Sequence, residues 1–290
     1  MAQLATALEA RSPEIVDLER RFAGLARLYG SLGAQRIRAA HVVVVGIGGV
    51  GSWTAESLAR SGVAALTLID LDHVAESNIN RQIHALDSTL GQAKVQAMRE
   101  RIAQINPHCR VTCVEDFVEP GNWPGLVGLL NSDPLQPLGV VDACDQVKAK
   151  ATLAAWALQR PDVHFISVGA AGGKRHAHLV EIEDLSLTTH DPLLAQLRYR
   201  LRKQAGAARA GRIGVACVFS RESVLQPQSP DTACDITDIK LLDDIAAPAS
   251  DGSLNCHGYG SVVSVTSTFG ACAAGWLLDK ISLSLPKPKK

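Results

Sequence analysis

Three side chains whose charges suit phosphate chemistry follow one another along the chain: Arg81, Lys94 and Asp145. A reacting nucleoside triphosphate needs cations, because negative charge builds on the departing pyrophosphate. Mg²⁺ is commonly held by one or two carboxylates together with phosphate oxygens, which makes Asp145 a candidate ligand. The alternative is that Asp145 caps the helix predicted over residues 147–159. A nicotinamide-dependent oxidoreductase has no need for these cations, so they favour a triphosphate.

A glycine-rich turn precedes these residues. Four consecutive valines at 42–45 predict a buried strand, and residues 52–60 predict a helix. The turn between them contains four glycines, Gly46, Gly48, Gly49 and Gly51. Strand, glycine turn and helix in this order let backbone N–H groups and a helix N-terminus face a phosphate. The same pattern also occurs as a turn that merely packs well, so both interpretations stay open here.

A second strand, predicted over residues 65–70, ends in Asp70, where an acid accepts hydrogen bonds from ribose hydroxyls. Asp72 follows, then a polar loop with Asn80 and Arg81, and a helix to about residue 104 that begins near Lys94. Later strands are predicted at 109–114, 138–145, 162–168 and 215–220. Ligands bind at the carboxyl ends of strands in open α/β sheets. We therefore expect Asp142, Asp145 and the glycine cluster at 169–173 to face the ligand.

The alternation of strands and helices predicts an α/β fold: a Rossmann-like, doubly wound, mainly parallel sheet with helices on both faces. We expect a single domain over residues 1–290, with a nucleotide-binding core at about 36–175 and a substrate-side extension at about 176–280. An amphipathic helix predicted at 13–32 precedes the core. It must pack away from the usual faces of the sheet, and a partner subunit is one candidate for that contact.

Composition excludes several classes of protein. The 290 residues carry a formal net charge of zero, so a polyanionic partner would have to bind a local patch. Seven cysteines without a Cys-x-x-Cys pair predict reduced thiols in a cytoplasmic protein and no zinc site. No signal peptide is visible. The uncharged stretch 261–278 is rich in Ser, Thr, Gly and Ala, which favours a buried helix over a membrane span.

One local patch is strongly basic. Residues 198–212, from Arg198 to Arg212, contain six Lys and Arg and no acid. This patch is the best candidate for contact with a nucleic-acid backbone. The alternative is a solvated helix face followed by a loop.

The ordered motifs together resemble the ubiquitin-activating-enzyme superfamily, which includes the bacterial MoeB, ThiF and HesA proteins. They are Gly-x-Gly-Gly-x-Gly at 46–51, Asp70-x-Asp72, Asn80-Arg81-Gln82, Lys94 and Asp145. The resemblance implies adenylation of a carboxylate with ATP and Mg²⁺. By matching position, the four glycines, Asp70, Asp72 and Asn80 bind the nucleotide, Arg81 and Lys94 contact its phosphates, and Asp145 lies on the magnesium side.

Within that superfamily the chain is most similar to the TcdA/CsdL family of tRNA threonylcarbamoyladenosine dehydratases. The similarity rests on the stretches 21–30, 45–53, 80–86, 101–107, 169–173, 191–193, 214–220 and 266–270. It implies ATP-dependent cyclisation of threonylcarbamoyladenosine beside the anticodon of tRNA, in a homodimer. The alternative function is adenylation of the C-terminus of a sulfur-carrier protein, whose activating enzymes usually carry the paired cysteines absent here.

Two further expectations come from the resemblance. MoeB-like enzymes extend an N-terminal arginine into the ATP site of the partner subunit, and Arg21 and Arg27 are the candidates here. Cys234 lies where related enzymes place a functional thiol, which would matter if a cysteine-desulfurase system supplied sulfur. The alternative for Cys234 is an inert thiol, because the cyclisation requires no protein nucleophile.

Overall fold

The computed structural model describes residues 17–123, 125–126, 138–225 and 259–284. The strands within these ranges are β1 His41–Val45, β2 Ala65–Ile69, β3 Arg110–Val114, β4 Leu138–Asp142, β5 Val163–Val168, β6 Val180–Asp184 and β7 Ala216–Ser220. The helices that flank them are α1 Leu18–Ala39, α2 Gly51–Arg60, α3 Lys94–Ile105, α4 Val147–Leu158, α5 Pro192–Gln204 and α6 Val263–Leu283. Short 3-10 turns lie at Glu76–Asn78, Asp87–Thr89 and Ala177–Leu179.

The strands form one sheet in the order β3-β2-β1-β4-β5-β7-β6. All neighbouring pairs are parallel except β6 with β7. The strand order reverses at β1, which is flanked by β2 on one side and β4 on the other. This reversal opens a crevice at the carboxyl ends of the strands, where doubly wound folds bind ligands. The predicted fold class is confirmed.

The four valines of β1 divide between two hydrophobic cores. Val42 and Val44 join α2, α3 and α6 on one face of the sheet. Val43 and Val45 join α4 and α5 on the other face. Successive side chains of a strand point to opposite faces, so a strand covered on both faces must be apolar at every position. This requirement explains the uninterrupted valine run.

Helix α1 differs from its prediction. It continues to Ala39, with a kink at Gly30, whose φ of 72° lies in the left-handed region. Its inner side packs against α6 in the same chain: a Cβ added to Gly33 would lie 3.2 Å from Cβ of Ser282. Helix α6 therefore supplies a packing contact for which a partner subunit was one candidate. Leu28 and Leu32 face outward, 73% and 58% exposed.

Strand β6 was not predicted. Its sequence, Val-Glu-Ile-Glu-Asp, is rich in charge because it forms an exposed edge of the sheet, and its first four residues are only half-buried. Charged side chains on an edge strand discourage pairing with other chains. β7 pairs with both β5 and β6, so residues beyond 175 continue the sheet that β1 to β5 begin.

The apolar stretch predicted as a buried helix forms most of α6. This helix packs against α1, α2 and β5, and Leu277 lies so close to β4 that a Cβ on Gly139 would approach its Cδ2 to 2.7 Å. Among the described residues, the helices are all too short or too polar to cross a bilayer.

Candidate functional site

A cavity of about 310 Å³ lies at the carboxyl ends of the central strands. Its lining includes most of the predicted site residues: Gly46, Gly48 and Gly49 of the glycine turn, Asp70 and Asp72 after β2, and Arg81, Lys94 and Asp145. The volume is at the lower end of the range of about 300–1,000 Å³ that is usual for small-molecule sites. Residues separated by about one hundred positions in the chain thus share one site.

The glycine turn is held by close backbone contacts. Gly46 has a φ of 84°, and a Cβ there would lie 2.8 Å from the carbonyl oxygen of Ala143. A Cβ on Gly51 would lie 1.7 Å from the carbonyl oxygen of Gly46. Gly51 is not on the lining; its role is to let α2 begin directly against the turn. The first turn of α2, which carries the partial positive charge of a helix N-terminus, follows.

Asp70 fixes the turn from the neighbouring strand. Its carboxylate accepts hydrogen bonds from the backbone N–H of Ile47, at 2.6 Å, and of Asp72, at 2.8 Å. Burial raises the pKa of Asp70, although Lys94 and the two N–H donors oppose that rise. A carboxylate has about four acceptor sites. Asp70 can therefore hold the turn and still accept ribose hydroxyls.

Lys94 is the first residue of α3 and is paired with Asp72. Its Nζ lies 2.7 Å from Oδ2 of Asp72, and the Lys94 side chain is 7% exposed against 57% for Asp72. The ammonium is held at the cavity wall while the carboxylate faces solvent. This geometry leaves a positioned cation beside the glycine turn, as a phosphate site requires.

Arg81 reaches the cavity from the loop after β2. Its Nη1 donates to the carbonyl oxygen of Ser77, at 2.7 Å, and to Oδ1 of Asn80, at 3.0 Å. Burial lowers the pKa of Arg81. The side chain packs over Gly49, where a Cβ would lie 3.5 Å from Cδ of Arg81.

Asn80 is not on the cavity lining. Its Nδ2 donates to the carbonyl oxygen of Ser261, at 2.9 Å, while its Oδ1 accepts from Arg81. The structure therefore gives Asn80 a contact that orients Arg81, and direct contact of Asn80 with a nucleotide stays a prediction.

Asp145 lies three residues beyond β4, on the lining between Cys144 and Gln146. The N-cap of α4 is Gln146, so Asp145 precedes the capping position that it was predicted to fill as an alternative. In the described part of the chain, His, Cys, Asp and Glu form no group of three that could hold a metal ion. One carboxylate with phosphate oxygens is nevertheless a usual Mg²⁺ environment.

Asp142 does not face the ligand, contrary to expectation. Its side chain and that of Lys150 are both fully buried, with Nζ of Lys150 3.1 Å from Oδ2 of Asp142. Ser167 Oγ donates to the same oxygen at 2.6 Å. The prediction failed because position in a strand does not reveal a lysine that approaches from α4 and neutralises the acid.

The second glycine cluster forms the far side of the cavity, where residues 169–172 line it. Asp191 holds this loop: its Oδ2 accepts from the backbone N–H of Ala170, at 2.8 Å, and its Oδ1 caps α5 through the N–H of Leu194. Burial raises the pKa of Asp191, against these bonds and Lys174. The pair Asp191-Pro192 is typical of a helix start, but nothing in it indicates the link to the cavity.

The cations of the basic patch at 198–212 differ in their surroundings, because one is bonded within the chain and others are exposed. Nη1 of Arg198 donates to the carbonyl oxygens of Leu185 and Thr188, so this arginine joins α5 to the loop after β6. Lys203, Arg209 and Arg212 are exposed. Cys234, the proposed functional thiol, lies outside the described residues.

A buried histidine near Lys94 predicts a pH dependence of stability. His84 is 1% exposed, and its ring nitrogens have no hydrogen-bond partner among the described residues. Burial, with Lys94 and Arg101, lowers the pKa of His84 from 6.5 to about 4. Between these values the unfolded chain binds a proton that the folded chain does not. The free energy of unfolding should therefore fall by about 3 kcal/mol as the pH drops through this window.

His84→Leu should remove that part of the pH dependence, which denaturant unfolding at several pH values would measure. The matched control is His108→Leu, at the surface, which should keep the wild-type slope. Equal slopes for His84→Leu and the wild type would show that His84 is not the titrating group.

Comparison with known proteins extends these observations. A model of the ThiF family matches residues 19–289. The chain is 44% identical over 264 residues to the tRNA threonylcarbamoyladenosine dehydratase of Escherichia coli (strain K12), with 90% of this chain and 93% of that protein covered. It is 38% identical over 272 residues to the enzyme of the same name from Haemophilus influenzae, covering 92% of this chain and 95% of that protein.

A solved structure is similar over the same extent. The crystal structure of E. coli tRNA N6-threonylcarbamoyladenosine dehydratase, TcdA, in complex with ATP matches with a TM-score of 0.75 and 41% sequence identity. The match covers 91% of this chain and 94% of that chain. Sequence and structure thus agree over nearly the whole length.

Proposed function

Because the chain belongs to the ThiF family, we propose that it is an ATP-dependent tRNA threonylcarbamoyladenosine dehydratase. The observation that carries the proposal is the convergence of the glycine turn, Arg81, Lys94 and Asp145 on one cavity at the strand ends. Relatives with this name match nearly the full length of the chain, and one was crystallised with ATP. The proposed substrate is the threonylcarbamoyl group on the adenosine beside the anticodon.

The reaction needs two steps. A carboxylate is a poor electrophile, because its leaving group would be oxide. Attack of the threonyl carboxylate on the α-phosphate of ATP forms an acyl-adenylate and releases pyrophosphate. The neighbouring carbamoyl nitrogen then attacks the acyl carbon, loses its proton and expels AMP, which closes the hydantoin ring. Tethering of that nitrogen supplies a large entropic advantage, so no protein nucleophile is required.

Each cavity residue has a proposed role in the first step. The N–H groups of the glycine turn and the N-terminus of α2 bind phosphate, and Asp70 binds the ribose. Arg81 and Lys94 neutralise the charge that develops on pyrophosphate. Asp145 would hold Mg²⁺, which would neutralise further phosphate charge. The donor set fits that ion, because a carboxylate lies on the wall of a cavity that is sized for phosphate oxygens and water.

Asp145→Asn tests the magnesium role. The variant keeps the shape of the side chain and removes its charge, so we expect kcat to fall by about 10²-fold and excess Mg²⁺ to restore part of the rate. The measurement is pyrophosphate release against Mg²⁺ concentration. Asp279→Asn, on the exposed side of α6, is the matched control. A wild-type rate with a wild-type Mg²⁺ dependence would remove Asp145 from the site.

We propose Arg27 rather than Arg21 as the arginine that would reach a partner subunit. Nη1 of Arg21 donates to the carbonyl oxygen of Ile105 in its own chain, at 2.6 Å. Arg27 is exposed on the same helix. A homodimer in which Arg27 enters the neighbouring cavity accounts for both positions. Mixing Arg27→Ala subunits with Asp145→Asn subunits tests this arrangement. A mixed dimer would contain one intact site, with Asp145 from the first subunit and Arg27 from the second, so activity should return only if each site uses residues of both subunits.

Two further partners are proposed, the tRNA from the reaction and a cysteine-desulfurase system from the family resemblance. The exposed cations Lys203, Arg209 and Arg212 would contact the tRNA backbone, and salt should weaken that binding. A tRNA-modifying enzyme of this kind would act in the cytoplasm. A cysteine-desulfurase system would act through Cys234, and Cys234→Ser should then lose the interaction while cyclisation continues.

The decisive assay incubates the protein with ATP, Mg²⁺ and threonylcarbamoylated tRNA, and then follows the mass of the modified nucleoside. We expect loss of one water, dependent on ATP, with release of AMP and pyrophosphate. An unchanged nucleoside, with folded protein that binds ATP, would contradict the proposal. Adenylate formed instead on the C-terminal glycine of a sulfur carrier would support the alternative function.

A further inference from the structure

A fully buried ammonium lies at the ends of β4 and β5, from which two walls of the cavity continue. Lys150, in α4, is 0% exposed, and its Nζ donates to Oδ2 of Asp142 at 3.1 Å, to Oγ of Ser167 at 3.3 Å and to the carbonyl oxygen of Val168 at 2.6 Å. Burial works to lower the pKa of Lys150, but Asp142 outweighs it, so the net pKa is raised and the side chain stays charged.

The three acceptors belong to two neighbouring strands at the point where both end. Asp142 is the last residue of β4, and it pairs in register with Ser167 of β5. The chain continues from β4 into the segment with Asp145 and from β5 into the loop 169–172, and both line the cavity. Lys150 therefore connects the two strand ends from which these two walls of the cavity begin. Cys144, the residue before Asp145, is tied to the same group, since its Sγ lies 3.0 Å from Oδ1 of Asp142.

Stability alone does not account for this arrangement. Buried ion pairs can often be replaced by apolar side chains of similar volume without loss of stability. An apolar side chain at 150 could not hold the carbonyl oxygen of Val168, which forms the shortest of these bonds. What the ammonium supplies is a fixed link between the ends of two strands.

We propose that Lys150 is a positioning residue for adenylation, which sets the distance between the Asp145 segment and the loop 169–172. This inference rests on the proposed function, in which nucleotide and carboxylate meet between these walls. Ribose binding at Asp70 places ATP over β1 and β2, so the space beside residues 169–172 is left for the carboxylate. In-line attack requires reacting atoms about 3–3.5 Å apart, and a displacement of about 1 Å can lower a rate by about 10²-fold.

The test uses the double variant Lys150→Met/Asp142→Asn, because Lys150→Met alone would leave the Asp142 charge unpaired and destabilise the chain. The double variant removes both charges with little change in volume. We expect it to unfold near the wild-type temperature and to bind ATP with a Kd near that of the wild type. Its kcat for pyrophosphate release with threonylcarbamoylated tRNA should fall by about 10²-fold. Lys148→Met, on the exposed side of α4, is the matched control.

Hydrogen–deuterium exchange provides a measurement that is independent of activity. In the double variant the amides of 143–146 and 169–172 should exchange faster together, while those of 46–51 keep their wild-type rates. A folded double variant with wild-type exchange in both walls and wild-type kcat would overturn the proposal. Absence of pyrophosphate release by the wild-type protein would instead contradict the proposed function, and the exchange measurement would still decide the role of Lys150.

Discussion

Alanine in place of Arg81 should lower kcat by about 10²–10³-fold while the fold persists, as expected for loss of one preorganised charge-stabilising group. Alanine removes the guanidinium and with it the two exposed bonds that Nη1 donates to Ser77 and Asn80. The part-buried bonds of this residue are made by its backbone, because the carbonyl oxygen of Arg81 accepts from Nε1 of Trp53, at 2.9 Å, and from Oγ1 of Thr266. Alanine keeps that carbonyl. In this variant kcat should therefore fall while the free energy of unfolding stays near that of the wild type.

Two further variants sharpen the result. Arg81→Lys retains the charge without the planar fork, so it should recover part of the rate. Arg99→Ala, an exposed arginine on α3, should behave as the wild type. Pyrophosphate release and thermal unfolding, measured on the same samples, give both readouts. Wild-type kcat in Arg81→Ala would exclude Arg81 from phosphate binding.

Gly51→Ala should abolish ATP binding, for a steric reason. Its Cβ would lie 1.7 Å from the carbonyl oxygen of Gly46, a distance that no side-chain adjustment can relieve because the obstacle is backbone. Either α2 must move away from the strand ends or the turn must open. Both changes displace the N–H groups that we propose to bind phosphate. The free energy of unfolding should also fall, by about 1–3 kcal/mol or more, as for other overpacked sites.

The matched control is Gly275→Ala, because both glycines are helical and only the surroundings differ. A Cβ at 275 meets no atom within 4 Å, and alanine is favoured over glycine in a helix by about 1 kcal/mol. That variant should be as stable as the wild type or more so. Titration with ATP and denaturant unfolding measure the two effects. Wild-type affinity in Gly51→Ala would show that the turn is not the phosphate-binding element.

The features that sequence could predict are local. The valine run, the glycine turn and the Asp-Pro helix start are each encoded within a few residues, and the structure confirms the elements that they predict. Asp145 could be placed at the cavity because the rule for strand ends needs only the strand. The roles of the site residues stay predictions until the variants are measured.

The features that the sequence could not predict mostly depend on contacts between residues that are distant in the chain. Asp142 and Asp145 look alike in the sequence, yet only Asp142 meets Lys150, whose approach depends on how α4 packs. Arg21 and Arg27 also look alike in the sequence, and only the fold brings the carbonyl oxygen of Ile105 within hydrogen-bond distance of Arg21. β6 escaped prediction because an edge strand needs no continuous apolar pattern. In each case the role of the residue can be assigned only when the fold is known.

The position of α6 has a consequence for how the chain folds. This helix follows all seven strands in the sequence, yet it packs between α1 and α2, and Gly270 lies so close to the start of α2 that a Cβ would be 2.6 Å from the carbonyl oxygen of Val50. Thr266 of the same helix contacts the Arg81 segment. Such contacts join residues about two hundred positions apart, and closing them is slow.

During synthesis, one face of the sheet at β1 and β2 is therefore covered only in part, by α2 and α3, until α6 has emerged. An exposed apolar face of this kind is a site for chaperone binding and for aggregation. The proposed nucleotide site would then be assembled in the last stage of folding rather than the first. If the site forms only in the completed chain, ATP should stabilise the native state by mass action.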